Sequence, residues 1–252
     1  MRKVVGKSGT IKIYDLVKPD LEKHRIKCGR DKLHKILKEN NLNIKPRKKY
    51  MTTTNSRHRF RKHPNLIKEL DICRPEQVWV SDITYIKCNN KHLYLALITD
   101  VYSKKIMGYN LADNLRAENA LEALKMAISK REYPNKKLIH HSDRGFQYCC
   151  DDYTNHLTDN HIKISMTQQY DPYENAVAER VNGILKQEFD IDLGFVNQKQ
   201  AQREIKKAIN VYNNIRPHLS CHMKTPVNAH KNGDYTLKRW SKMKTQNQLM
   251  IM

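Results

Sequence analysis

Acidic residues are scarce in this 252-residue chain: 26 Asp and Glu stand against 47 Lys and Arg, a formal charge of +21 and a pI near 9.7. A surface so unbalanced attracts a polyanion, and nucleic acid is the usual one; a ribosomal or merely solubilising role is the competing reading. Long apolar runs are missing as well. Nothing approaches the ~20 apolar residues of a membrane span, and the opening MRKVVGKSGT lacks the apolar stretch of a signal peptide. The six cysteines (Cys28, Cys73, Cys88, Cys149, Cys150, Cys221) form no CxxC pair and no regular framework, so they read as reduced thiols of a cytoplasmic protein. No heptad array is present either. The length allows one large domain plus a small one, and 39% hydrophobic residues suffice for one mixed sheet and its helices.

What stands out against these absences is a set of three carboxylates. Asp82 lies in VWVSDITYI (78–86), a β-branched and aromatic run that reads as a strand. Alternation puts Val78, Val80, Asp82 and Thr84 on one face. An acid sharing a face with two valines needs a partner, which a cation at the sheet surface or edge would supply. Asp143 follows the apolar start of LIHHSDRGFQY (138–148), where Gly145 marks the strand ending in a turn. Glu179 lies in YENAVAERVNGILKQE (173–188), whose periodicity is helical: Asn175, Glu179, Asn182 and Lys186 form one polar stripe, with Val177, Val181, Ile184 and Leu185 roughly opposite. Thirty-five residues separate Asp143 from Glu179. A strand, a strand end and a helix, each offering one acid, can gather hard oxygen ligands around divalent cations suited to phosphoryl transfer. For Glu179 alone the plainer reading is an amphipathic helix with a solvated stripe. Among competing acids, Asp151 and Asp152 suit a helix N-terminus, and Glu174 falls about 140° round the helix from Glu179. Asp100, also on a strand, is the strongest rival for a metal contact.

Four segments in order, VWVSDITYI, HHSDRGFQY, SMTQQYDPYENAVAERVNGILKQE and YNNIRPH (212–218), resemble the second-reading-frame (OrfB) transposases of bacterial insertion sequences, within the retroviral-integrase-like DDE superfamily. The resemblance runs from about residue 78 to 226 and more weakly back to about 29. It implies a ribonuclease-H-like α/β fold with a mixed sheet, two Mg²⁺ ions (Mn²⁺ substituting), and DNA strand cleavage and joining. It further implies that Asp82, Asp143 and Glu179 are the metal ligands and that Lys186 is the basic residue following the catalytic Glu by seven positions. A homo-oligomer on DNA, and fusion to or partnership with an upstream-frame (OrfA) product, belong to the same expectation. Retroviral integrases carry an N-terminal site of two His and two Cys. That spacing is absent here, so His58 and His63 read as surface residues and no zinc is assigned. His140, His141 and Arg144 flank the second Asp, either contacting the scissile phosphate or filling space at the strand end. Gln147 and Tyr148 support that loop. Arg216 and His218 match the YNxxRPH element without a role legible in sequence.

Charge divides the chain. Residues 1–70 hold 21 Lys and Arg against 6 Asp and Glu, a net +15. Helices are expected over 12–25 (Ile13, Leu16, Val17 and Leu21 on one side) and 30–40 (Leu33, Ile36 and Leu37 inward). The turn 40–43 follows, and then a basic stretch 45–50 with Pro46 suited to a helix start. This resembles the helix-turn-helix segment preceding the catalytic core in that family; the alternative is a solvated basic pair that reads no groove. Residues 51–77 read as a linker along the phosphate backbone. The expected DNA contacts are Arg47, Lys48, Arg57, Arg59, Arg61, Arg144, Asn175, Arg180 and Lys186. The catalytic core is expected over 71–232 and a basic tail over 233–252. Within the core, strands over 78–86, 92–103 and 104–113 with short turns favour antiparallel hairpins. A helix over 117–130, the strand LIHHS, a helix over 151–159, a strand over 162–167 and a last helix over 198–214 complete the order. Two rival functions stay open: a cut-only ribonuclease-H-like nuclease and a non-enzymatic DNA-binding regulator.

Overall fold

The β-branched and aromatic runs become the strands of one sheet in a computed structural model, which describes residues 2–42, 44, 59–168, 175–233 and 235. Three short helices open the chain: α1 (Arg2–Val5), α2 (Thr10–Lys23) and α3 (Arg30–Glu39). The core then runs β1 (Val78–Cys88), β2 (Lys91–Asp100), β3 (Ile106–Ala112), α4 (Ala117–Ser129), β4 (Leu138–Ser142), α5 (Phe146–Cys149), α6 (Asp151–Asp159), β5 (Ile162–Met166), α7 (Ala176–Glu188), α8 (Gln198–Asn214) and α9 (Pro226–Lys231). The strands lie in the order β3-β2-β1-β4-β5. β1, β2 and β3 pair antiparallel, whereas β4 joins β1 and β5 joins β4 in parallel. The expected mixed sheet is therefore present, with β1 as the seam between its two halves.

Each sheet face has its own core. On one, Trp79, Ile98, Met107, Leu138 and Ile162 meet Leu124 of α4 and Tyr153 and Leu157 of α6. On the other, Ile86, Leu95 and Leu97 meet Val181, Ile184 and Leu185 of α7 and Ile205, Ile209 and Tyr212 of α8. Fully burying one such aliphatic side chain contributes about 1.5–3 kcal/mol, so these layers hold the site rigidly. Gly108 lets α4 approach β3 to backbone contact: a Cβ there would lie 2.1 Å from the Ala123 carbonyl oxygen. No helix among the described residues is long and apolar enough to cross a membrane.

The amino-terminal expectation needs correcting in one respect. Ile36, expected inward, is 40% exposed while Leu37 is buried, with α3 packed against α2. The opening residues also pack on α7. Val5 and Ser8 are fully buried, and the Lys7 N–H donates to the Glu188 carbonyl of α7 at 2.6 Å. The basic stretch 45–50 lies outside the described residues, as do Arg47, Lys48, Arg57 and His58, and all of the tail except Gly233 and Tyr235. The second half of the linker is docked: Ile67, Leu70 and Ile72 pack on Val78, Val80, Val101 and Ala178.

Candidate active site

Strand register brings the first two acids together. Val78 stands opposite Ile139, Trp79 opposite His140 and Val80 opposite His141 on the parallel pair β1–β4. Two residues further in that register come Asp82 and Asp143, on strand lines about 4.8 Å apart. The electrostatics record the meeting. Burial pushes the Asp82 carboxyl up to about 7, Asp143 and more weakly Glu179 add to the rise, and an Asn182 hydrogen bond opposes it. Asp143 is fixed just past β4 by its own turn: its Oδ1 accepts from the Gly145 N–H at 2.9 Å. A Cβ at residue 145 would itself lie 2.9 Å from that oxygen, which favours glycine here.

Helix α7 carries the third acid, and its polar stripe does not simply face solvent. Asn175 and Asn182 are buried, turned onto β1. The Asn175 amide donates to the Ser81 carbonyl at 3.1 Å, and the Asn182 amide donates to Asp82 Oδ2 at 2.7 Å. These two bonds pin the helix to the strand on either side of Glu179, which remains exposed between them. Among the described residues no three Asp, Glu, His or Cys side chains converge closely enough to hold one ion. The arrangement is a close pair, Asp82 and Asp143, with Glu179 standing off beside it. Its donors are carboxylate oxygens, the chemistry that hard divalent cations take. A carboxylate that burial and a neighbouring Asp keep from ionising is also what a cation relieves. On both counts the residues fit such a cation.

Lys186 is half-buried: burial lowers its pKa, while Asp82 and Asp192 pull it back up. It stands one helical turn beyond Asn182, the residue that bonds Asp82. Asn175, expected to contact DNA, is occupied in bracing α7. Arg180 is exposed, as are Arg59 and Arg61, and Arg144 is half-buried. Phe60 rests on Phe146 of α5 with ring centroids 5.5 Å apart, which anchors Arg59 and Arg61 beside the turn that follows Asp143.

The two histidines before Asp143 go opposite ways, as neighbours on a strand must. His140 faces the α6 side, its Nε2 within 2.6 Å of Ser81 Oγ and 2.9 Å of the Tyr153 hydroxyl. Burial pushes it down to about 3, so it is neutral and structural, and the scissile-phosphate contact does not suit it. His141 sits on the α7 side with Nδ1 2.8 Å from Ser165 Oγ. Asp100, the rival acid, is fully buried and fully engaged: it accepts from the Glu76 N–H, the Ser103 N–H and the Ser103 hydroxyl, each at 2.7 Å. It belongs to a structural network with His230.

Arg216 is the buried charge whose partner sequence reading missed. It is 1% exposed and grips Glu188, the last residue of α7, through Nε and Nη2 at 2.7 Å each. Its partner is 28 positions away, so no local pattern announced it. His218 beside it is buried, its ring against Tyr212, and burial and then Arg216 hold its pKa well down.

The integrase core domain family matches residues 73–172 of this chain and again 160–226. The insertion element IS600 uncharacterized 31 kDa protein of Shigella sonnei is 38% identical over 201 residues, covering 79% of this chain and 74% of its own length. The transposase for insertion sequence element IS904 of Lactococcus lactis is 34% identical over 170 residues, 67% of each chain. In fold, the HTLV-2 integrase catalytic core domain in complex with magnesium, in its trimeric form, superposes with a TM-score of 0.50 at 22% identity, over 62% of this chain and 97% of that one.

Proposed function

Because this chain belongs to the integrase-core transposases of bacterial insertion sequences and is a DDE polynucleotidyl transferase, we propose that Asp82, Asp143 and Glu179 are the acids of its catalytic site. The observation that carries the reading is the Asp82–Asp143 pair, which the parallel β1–β4 pairing brings together with Asp143 just past the end of β4, and with Asp82 resisting ionisation. Asp82 and Asp143 would hold a Mg²⁺ ion together with Glu179, which α7 presents beside them. Two ions are proposed, with Mn²⁺ able to replace them. Bound there, divalent cations supply Lewis-acid chemistry, activating the attacking oxygen and stabilising the leaving one.

The chain's own residues do the rest. Asn182 orients Asp82 by its 2.7 Å hydrogen bond, and the Gly145 turn orients Asp143. Lys186, Arg180, Arg144, Arg59 and Arg61 hold phosphates around the acids, and the net positive charge of the amino-terminal segment adds salt-dependent affinity. In the first step water adds to phosphorus and the element's 3′-oxygen leaves with a proton; in the second that 3′-hydroxyl attacks a target phosphodiester in line, and the target's own 3′-oxygen leaves with the proton that the attacking hydroxyl gives up. No protein nucleophile is required. The working form is a homo-oligomer on DNA in the bacterial cytoplasm, joined by an upstream-frame partner.

The test is a Mg²⁺-dependent assay on DNA carrying the element ends, with Asp82→Asn, Asp143→Asn and Glu179→Gln alongside the unaltered chain. Cleavage and strand-transfer products from the unaltered chain, with neither from the variants, support the assignment. Robust cleavage by a variant removes that residue from the site. Cleavage without joining by the unaltered chain would point to a cut-only nuclease instead.

A further inference from the structure

The carboxylate of Glu188 gathers donors from three separate parts of the chain. Arg216, after α8, binds both of its oxygens; Ser8 Oγ donates to Oε2 at 2.8 Å, and Lys12 Nζ of α2 to Oε1 at 3.1 Å. Burial alone would raise this carboxyl, but the Arg216 hydrogen bonds and charge, Lys12 and Ser8 together bring it down to about 2. The backbone is committed as well. Gly6 has φ +57°, and a Cβ on it would lie 2.0 Å from the Glu188 carbonyl oxygen that the Lys7 N–H binds. Lys7 Nζ also reaches Asp190 at 2.6 Å. This is a built seat for the amino-terminal segment on the end of α7.

We infer that Arg216, Glu188 and the segment from Gly6 to Lys12 are positioning residues for the reaction: their clasp sets where Glu179 stands relative to Asp82 and Asp143. The inference rests on Glu179 being the third acid of the site. Helix α7 is held at three points, by Asn175 on β1, by Asn182 on Asp82 and by Glu188 in the clasp. Glu188 lies roughly 13.5 Å along the helix axis from Glu179. A helix is stiff along its axis, so an axial slip of about 0.5 Å at the clasp moves Glu179 by about the same amount, enough to lower turnover about tenfold where a full ångström costs about a hundredfold. The segment expected to bind DNA thereby also aligns the chemistry.

Glu188→Gln leaves buried Arg216 without its anion and can unfold the chain, so the test uses full-length Gly6→Val and Lys12→Met, which keep the Arg216–Glu188 pair. Two readouts are taken: kcat and KM for cleavage of element-end DNA, and the rise in melting temperature on adding Mg²⁺ alone. The expected result for Gly6→Val is a kcat about tenfold lower, an unchanged KM and a smaller Mg²⁺-induced rise. Lys12→Met should change each readout in the same direction by less. A melting temperature lowered in EDTA, with kcat and the Mg²⁺-induced rise both retained, would show a merely structural clasp and overturn the inference. Glu179→Gln separates the two levels of reading. If it loses the Mg²⁺-induced rise while Gly6→Val keeps it, the positioning role alone fails; if Glu179→Gln keeps the rise, the site assignment fails and the inference with it.

Discussion

Replacing Asp82 with Asn removes a carboxylate that burial and the adjacent Asp143 push up from 3.8 to about 7. In the metal-free protein that shift acts against folding. Between those two pH values the folded chain holds a proton that the unfolded chain has lost, so stability falls as pH rises, by about 1.4 kcal/mol per pH unit. The loss is complete above pH 7 and amounts to about 4 kcal/mol; partial solvent access at Asp82 reduces it to roughly 2–4 kcal/mol. Asp82→Asn is isosteric, and its amide oxygen can still accept from Asn182. The variant should therefore be more stable than the parent at pH 8 in EDTA, by roughly 5–15 °C in melting temperature for a chain of this size, and nearly equal to it at pH 4. Adding Mg²⁺ should stabilise the parent and leave the variant unmoved. Thermal melts from pH 4 to 8, with EDTA and with Mg²⁺, read all of this. An Asn variant less stable than the parent at pH 8 in EDTA, or a parent whose stability is flat between pH 4 and 7 relative to the variant, would refute the reasoning.

Asp143→Asn and Glu179→Gln should each abolish Mg²⁺-dependent cleavage while leaving DNA affinity within a few-fold, as read by gel shift beside the cleavage assay. Replacing Arg59 and Arg61 together with Ala should flatten the dependence of log Kd on log salt by about 0.9 for each phosphate no longer neutralised; an unchanged slope would take these residues off the DNA path. Lys186→Ala should weaken element-end binding and lower strand transfer, with the Mg²⁺-induced melting shift retained. Disappearance of that shift, with DNA affinity untouched, would make Lys186 an organiser of the acids instead. Asp100→Asn should destabilise the chain by about 3–5 kcal/mol without altering the Mg²⁺ response. In the same network Asp100 and Glu76 outweigh burial to raise the His230 pKa. Its contribution to stability is full below the ordinary histidine range and lost as pH rises through the raised value, so His230→Gln should remove that fall from the melting profile.

The sheet, its helices and the three acids were legible because each is announced within a dozen residues: by strand alternation, by a glycine after a strand, by a helical stripe. Contacts closed across long stretches of chain left no such mark. The parallel pairing that sets Asp82 level with Asp143 joins segments about 60 residues apart, and periodicity says nothing of which strands adjoin. The stripe on α7 was visible but its direction was not, since Asn175 and Asn182 look solvated until β1 offers them Ser81 and Asp82. Asp100 looked like a ligand because its partners Glu76, Ser103 and His230 come from three places. The opposite facing of His140 and His141, by contrast, was implicit in strand alternation. Arg216 could be flagged only as part of a motif: its anion sits at the end of another helix.

The place of β1 at the seam of the sheet also orders how the molecule comes into being. The β1–β2–β3 meander is built from contacts between neighbours in sequence, which close early and at low entropic cost. β4 follows α4 in the chain and lies parallel to β1, and α7 comes after β5. A ribosome therefore releases Asp82 first, Asp143 second and Glu179 last. A chain interrupted before α7 carries a finished sheet with an unfinished acid set. With Glu179 as the proposed third acid, the catalytic set is complete only once α7 has been made and docked.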